Sequence, residues 1–388
     1  MTPIRSVLLT TACLTLLVPS LGRACINDTD TVEFELKNMN LLDEINKAKG
    51  HREKGRLIGE LVIRAAAGRF ERFPKKYYEM RIKRLNAERD LDPYDADDLA
   101  VAYDRIGDSK SAIRVIRASL SQRQGKKEEM YRFHANYGTF LAHDWLKSGA
   151  KKSDVSQLDE AAKQIELGLK IQPDAHFGRE RVQLQLLRYL SARTRGKEDR
   201  PLFDFLANSL KRDEIAIGLC GLVMMGAAYE SPDVFATIAQ CRPFVSNSGT
   251  TVAWYRAAEL LKTREPFSEI VDPEIDRLVA DKELLAEKTE GSKLYVRIRQ
   301  NGEAVHQQRL RYMFDRLDKG NHPDSDEYFW TDWKEPAYPV IHQTSYNERM
   351  MFQQTLVALG TAGLMLLAIG FYVRERIIAK RKAKLPTK

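Results

Sequence analysis

The stretch Pro93–Ile116, PYDADDLAVAYDRIGDSKSAIRVI, decides how the rest of the chain is read. Its apolar and small residues recur at three- and four-residue spacing: Leu99, Ala100 and Tyr103 come first, then Ala112 and Ile116, with Gly107 between. That is the period of two amphipathic helices separated by a turn. Ala100 and Ala112 are small enough for two antiparallel helices to approach closely, and Tyr103 can fill the space to a neighbouring pair. Gly107 can take the positive φ of a tight turn.

The register returns 38 residues later, from Ala100 to Gly138. Tyr137 and Gly138 then stand on a first helix, with Ala161, Ile165, Gly168, Leu169 and Pro173 on and just after a second. Between them Lys147–Gln157, KSGAKKSDVSQ, reads as a polar loop. Upstream, Gly55–Pro93 resembles a degenerate helix pair, and residues 176–317 hold at least six helical blocks with no clear register. β-signals are sparse. The fold class expected is all-α, an α-solenoid of stacked helix pairs.

The two registered pairs resemble tetratricopeptide repeats, and the resemblance extends over residues 55–195 at most. The offset exceeds the repeat's usual length of about 34 residues, because of the extra loop. A narrower resemblance lies in the order of four segments: CINDTDT (Cys25–Thr31), GRFERFPKKYYEMRI (Gly68–Ile82), DDLAVAYDRIGDSKSAI (Asp97–Ile113) and IQPDAHFGRE (Ile171–Glu180). Together they are similar to a group of secreted bacterial tetratricopeptide proteins that open with C-x-x-D-x-D-T. That resemblance implies a compartment and a fold, and it carries no chemistry over.

The net charge of +8 sits at the two ends. Arg374–Lys388 holds seven Lys/Arg and one acidic residue, and Arg5 and Arg23 add two more positive charges, so residues 25–373 are electroneutral. Such a body does not recruit phosphate backbones, and no nucleic acid is expected as a partner. Thr355–Val373 is nineteen residues without a formal charge. At about 1.5 Å per residue that matches a bilayer core of about 30 Å, and the basic tail after it predicts a cytoplasmic C-terminus. Residues 1–24 read as a signal peptide with Gly22-Arg23-Ala24 before Cys25; acylation of Cys25 fits poorly beside Arg23.

The expected organisation is therefore a signal peptide (1–24), an N-terminal segment (25–54), repeats (55–195), a further helical region (196–320), a juxtamembrane connector (321–354), a transmembrane helix (355–373) and a basic tail (374–388). The protein is expected at the cell membrane as a single-pass chain with its helices outside the cytoplasm, as in a bacterial periplasm. Ala358 and Ala362 leave homo-oligomerisation through the span open.

No H-x-x-x-H, H-E-x-x-H, C-x-x-C-H or Gly-rich phosphate loop occurs, and His134 and His143 are nine apart, on opposite faces of one helix. No catalytic residue, metal or cofactor is expected. Asp28 and Asp30 alternate as in a calcium loop but lack its glycine and distal Glu, so Asp30 or Thr31 is read as a helix cap. Cys220 and Cys241 flank a turn at Ser231-Pro232 at similar distances, which favours a disulfide in an oxidising compartment and leaves two buried thiols as the alternative. The aromatic run Tyr328, Phe329, Trp330, Trp333, Tyr338 and Tyr346 serves an interface belt, a docking stretch or packing, the belt fitting Tyr346 best and Trp330 least, with the folded body ending near residue 320.

The function expected is an adaptor or scaffold that binds a protein or peptide. Projecting the first helix of each registered pair onto a concave groove assigns partner contacts to Asp97, Val101, Asp104 and Arg105, and to Arg132, Asn136, Thr139 and His143. On that reading Arg105, Arg132 and Asn136 are replaceable by Ala with thermal stability nearly unchanged and partner capture weakened. The alternative is an enzyme or small-ligand pocket within residues 200–320.

Overall fold

The computed structural model describes residues 28–173, 178–225, 228–268, 270, 272–280, 289–337 and 355, with the backbone alone for 31–38. Among the described residues there are fifteen α-helices, one short 3-10 turn and no strand. The chain begins with α1 (Thr29–Lys47), α2 (His51–Ala67), α3 (Lys75–Leu85), α4 (Pro93–Arg105), α5 (Ser109–Ala118) and α6 (Leu120–Arg123). It continues with α7 (Lys127–Lys147), α8 (Ser156–Ile171), α9 (Arg179–Thr194), α10 (Leu202–Ala207) and α11 (Arg212–Met224). Last come α12 (Pro232–Gln240), α13 (Asn247–Leu261), α14 (Pro273–Ala280) and α15 (Glu290–Leu317).

The helix pair read from Pro93–Ile116 is present. Asp92 caps α4 by accepting from the Tyr94 and Asp95 amides, and Pro93 opens the helix where its missing N–H costs nothing. Gly107 turns the chain at φ +98°, and Asp108 caps α5 through the Ser111 amide. Ala100, Ala112 and Ile116 are fully buried between the two helices. In the second pair α7 packs on α8. A Cβ at Gly138 would stand 2.9 Å from the Ala161 carbonyl oxygen, so the close approach needs this glycine. The loop expected after Lys147 is also there, closed by the 3-10 turn Lys152–Asp154.

From α4 to α9 helices pack mainly on their chain neighbours, whereas α2 packs on α11, α13 and α15. A strict solenoid has only neighbour contacts; here one apolar core runs from Leu41 to Ile298, across the boundary expected near residue 195. Leu57, Ile58, Leu61, Val62 and Ile63 of α2 are all 2% exposed or less. Burying each is worth about 1.5–3 kcal/mol.

Four expectations are corrected. The membrane-anchored, extracytoplasmic localisation is not supported, since among the described residues no helix is long and apolar enough to cross a membrane. The longest, α15, carries Lys293, Arg297, Arg299 and Glu303 along its length, and charged groups of that kind oppose transfer into hydrocarbon. The segments expected as signal peptide, transmembrane helix (after Thr355) and basic tail lie outside the described residues, as do Cys25, Tyr338 and Tyr346. Second, the folded body continues past residue 320. Phe329 is buried with Tyr77, Tyr78, Met313 and Leu317, Trp330 stacks on Tyr312 at 5.6 Å, and Arg309 holds Glu335 at 2.6 Å. The aromatic run therefore packs on the helical body at Phe329, Trp330 and Trp333.

Third, Cys220 and Cys241 are free thiols, not a disulfide. Both are fully buried, and Cys241 turns back along its own helix to donate to the Thr237 carbonyl at 3.3 Å. Burial pushes both thiols well up, away from the reactive thiolate. Fourth, Asp30 is not a cap. It lies inside the first turn of α1, and its carboxylate accepts from Tyr77 and Arg81.

The contact of α15 with α2 depends on Gly302, where a Cβ would come within 2.0 Å of the Ala67 carbonyl oxygen. Gly302→Ala is expected to destabilise the fold by at least about 1–3 kcal/mol, the range for overpacked cores. Urea unfolding of the variant beside the parent measures this; an unchanged midpoint would show that the helices do not meet there.

Candidate functional site

Five of the six charged or amide residues expected to line an open groove are instead paired inside the protein. Asp97 is fully buried. It accepts from Arg132 Nε at 2.7 Å and Asn136 Nδ2 at 2.9 Å, and it pairs with Arg123 at 3.1 Å. Asp104 accepts from Ser109 and Lys147 and pairs with His143 Nδ1 at 2.7 Å. Burial alone would raise the Asp104 carboxyl, but His143 and then Lys147 hold it well below the ordinary range. Val101 and Thr139 of the same projected faces are buried as well. The reason is that α4 packs directly on α7, so the polar positions of the two first helices face each other. Arg132 and Asn136 are thus structural, and the expected tolerance of alanine there is corrected.

Arg105, the sixth, is different. It ends α4 and makes no hydrogen bond or ion pair among the described residues. It lines a cleft of about 280 Å³. The loop between α2 and α3 contributes Phe70, Glu71, Arg72 and Phe73 to the wall, and α3 contributes Tyr78. The end of α11 and the turn after it contribute Met224, Met225, Tyr229 and Glu230, and the start of α1 contributes Asp28 and Asp30.

Tyr229 organises one end. Phe70 meets its ring edge-on at 5.3 Å, the guanidinium of Arg72 lies 5.2 Å over it, and that of Arg256 lies 4.6 Å over it. Arg299 donates to its hydroxyl at 2.6 Å. Arg256 is neutralised by Glu259 at 2.6 Å. Arg72 is less well served: Glu303 stands 3.8 Å away, Gly68 O is 3.4 Å away, and Nε is buried without an acceptor. Burial and then the repulsion of Arg299 and Arg256 lower the Arg72 pKa against the pull of Tyr229 and Glu303. Burial and Arg72 likewise push His306 down to about 4. At this end of the cleft Arg72, Arg256 and Arg299 share Glu303 and Glu259.

The carboxylates of the wall are already engaged. Asp30 holds Arg81 at 2.8 Å, and Asp28 lies 3.8 Å from the same guanidinium. Glu230 pairs with Arg264, and Glu71 is not free. Arg81, whose side chain has no exposed area, also holds Asp324 at 2.6 Å. Although burial acts to raise Asp324, His322 and Arg81 keep it well below the carboxylate range. Beside this cluster Asp98 accepts from the Thr29 amide and hydroxyl, both at 2.8 Å. Burial first, with Asp28 and Asp30 adding to it, pushes Asp98 up to about 7 against the pull of Arg81 and the Thr29 amide.

A second depression, about 450 Å³, is lined by Lys54, Arg181, Lys211, Asp213 and Glu214 among others. Its carboxylates are matched, Asp213 by Lys54 at 2.5 Å and Glu214 by Arg181 at 3.7 Å. Only Lys211–Ile217 of its wall fall in residues 200–320, where a pocket was the alternative expectation. Among the described residues no three His, Cys, Asp or Glu side chains converge as metal ligands. The cleft was missed in the sequence because its wall comes from five separated segments; Arg105, Asp28 and Asp30 were singled out there, each for another reason.

Removing the Asp97 charge leaves Arg123 and Arg132 buried and uncompensated. Asp97→Asn is expected to cost about 3–5 kcal/mol in chemical unfolding, and a loss within about 0.5 kcal/mol, as at exposed sites, would contradict the burial. Asp98 has the opposite sense. Between its ordinary value of 3.8 and about 7 the folded chain keeps a proton that the unfolded chain has released. Its contribution to stability is full at the acid end and is lost as pH rises towards 7. Asp98→Asn mimics the neutral acid, so the stability difference between variant and parent should move in favour of the variant from pH 4 to pH 8. A difference independent of pH would refute this.

Compared with protein-family models, curated proteins and solved structures, the chain matches none. The cleft is therefore read from its own geometry.

Proposed function

We propose that this chain is a binding protein built on tetratricopeptide-like helix pairs, an adaptor that holds a protein or peptide segment in the cleft between the α2–α3 loop and the α11–α12 turn. One observation carries the reading: Arg105 faces the cleft with no partner among the described residues, while Arg81, Arg123 and Arg132 are paired inside the protein. A guanidinium left unpaired beside Tyr78, Phe73 and Met224 suits recognition of a segment that offers both a polar group and an apolar side chain. The tetratricopeptide likeness is supported by the two helix pairs with their small residues at the crossing, Ala100 with Ala112 and Gly138 with Ala161. The electroneutral body supports a protein or peptide over a nucleic acid.

The test is selection of a random peptide library on the whole protein. Peptides should enrich, and they should lose binding to Arg105→Glu while keeping it for Arg181→Glu in the second depression. Both variants should melt within a few degrees of the parent, since neither residue is buried. Failure of any peptide to enrich, or equal loss in both variants, would overturn the reading.

A further inference from the structure

We infer that the start of α1 is a proton-operated latch on the cleft: it completes one wall while Asp98 is neutral and comes away when Asp98 ionises. The latch stands on the junction of α1 with α3 and α4, and its effect on a bound segment rests on the peptide-binding reading.

Four carboxylates meet at that junction, Asp28, Asp30, Asp98 and Asp324, around the guanidinium of Arg81. Arg81 stands 2.8 Å from Asp30, 2.6 Å from Asp324 and 3.8 Å from Asp28. Arg84 adds a contact of 3.0 Å to Asp324 but is shared with Glu88. Asp98, buried on α4, accepts among the described residues only from neutral donors, the Thr29 amide and hydroxyl, each at 2.8 Å. The other groups around it are committed elsewhere: Tyr77 of α3 donates to Asp30, Arg132 of α7 is held by Asp97 at 2.7 Å, and His322 lies 3.4 Å from Asp324.

Of the four, Asp98 is therefore the carboxylate on which a proton relieves most. Neutral, it still accepts from Thr29 and is not repelled by Asp28 and Asp30. Ionised, it is a buried charge beside two others. Burial first, then Asp28 and Asp30, outweigh Arg81 and the Thr29 amide and hold its titration up at about 7. Freed from α1, Asp98 regains water and its ordinary acidity. Docking of α1 takes up a proton, so it is favoured at the acid side and weakens as pH rises through 7. The far end of α1 is fixed in the core by Leu41, Leu42 and Ile45, so release at Thr29 swings only the start. Asp28 and Asp30 line the cleft, and that movement removes their side of its wall. A segment seated against them prefers the latched form and holds it closed.

The experiment is hydrogen exchange of the full chain at pH 6 and pH 8, corrected for the intrinsic rate, comparing residues 33–38 with α13. Residues 33–38 should be the less protected at both pH values. From pH 6 to pH 8 their protection should fall about tenfold, as the loss of one proton requires, and it should stay level in Asp98→Asn, whose amide keeps both contacts with Thr29. Equal protection of 33–38 and α13 would mean that the chain opens only as a whole and would overturn the latch. Protection at 33–38 that ignores pH, or the same fall in Asp98→Asn, also overturns it. Should Asp98→Asn not fold, Asp28→Asn removes one repelling charge and should move the fall to lower pH; an unmoved fall refutes the inference. A library peptide that binds at pH 6, added at about 100 times its Kd, should raise protection at 33–38 at least about tenfold. Unchanged protection would overturn control of the cleft and leave the peptide-binding reading standing. If no peptide binds, that reading fails and control of the cleft fails with it, while exchange in the parent and Asp98→Asn still decides the latch.

Discussion

The burial of α2 is the constraint on which the other parts depend. Apart from the partly exposed stripe of Glu60 and Arg64, the helix from Leu57 to Ala67 is buried, and one neighbour cannot cover so broad a face; α1 covers part of it, and α11, α13 and α15 from the second half of the chain cover more. Small residues allow this. Gly59 meets Gly249, where a Cβ would stand 2.8 Å from the Gly59 Cα, and Ala67 meets Gly302. Close contact over such sequence distances joins a locally stacked helical stretch to the later helices through one core. It also aims the loop that follows α2. Gly68 to Phe73 leaves the buried helix end beside Tyr229, and that juxtaposition brings Arg72 over the ring.

A second consequence of tight stacking concerns polar residues. The face of α4 that carries Asp97 and Asp104 resembles the lining of an open groove when one helix is considered alone. Packed on α7, the same positions become a buried ion-pair network in which Asp97 serves two arginines and an amide. Paired charges in a low-dielectric interior are not strongly stabilising relative to apolar residues, but they are costly to break, and they disfavour any alternative register of the two helices. In this protein they tie three helical segments together, α4, α6 and α7, through Asp97, Arg123 and Arg132.

Arg81 performs the equivalent task at the ends of the described chain. Asp30 from the first turn of α1 and Asp324 from the segment after α15 both converge on it. The residues that follow add Tyr312–Trp330 stacking and the Arg309–Glu335 pair. The cleft lies against this junction, and Asp28 and Asp30 belong to both. Its charge is thus coupled to the attachment of the N-terminal segment, with Asp98 crowded by Asp28 and Asp30 and bonded to Thr29.

The sequence by itself determined what depends on residues close along the chain: the helical class, the pair at Pro93–Ile116 with its Gly107 turn, the loop after Lys147, and the small residue at Gly138. Periodicity and capping are local and need no partner to be read. Which polar face is covered, where the folded body ends and which residues share a cleft were decided only by the tertiary structure. Asp97 and Arg132 are 35 residues apart and Arg81 and Asp324 are 243 apart, and a charged residue on a helix has the same spacing whether it faces water or a counter-charge. Cys220 and Cys241 make the same point: similar heights on neighbouring helices were legible, but the direction of the Cys241 thiol towards Thr237 was not. Side-chain direction across a helix interface depends on the crossing that packing selects, and no single helix encodes it.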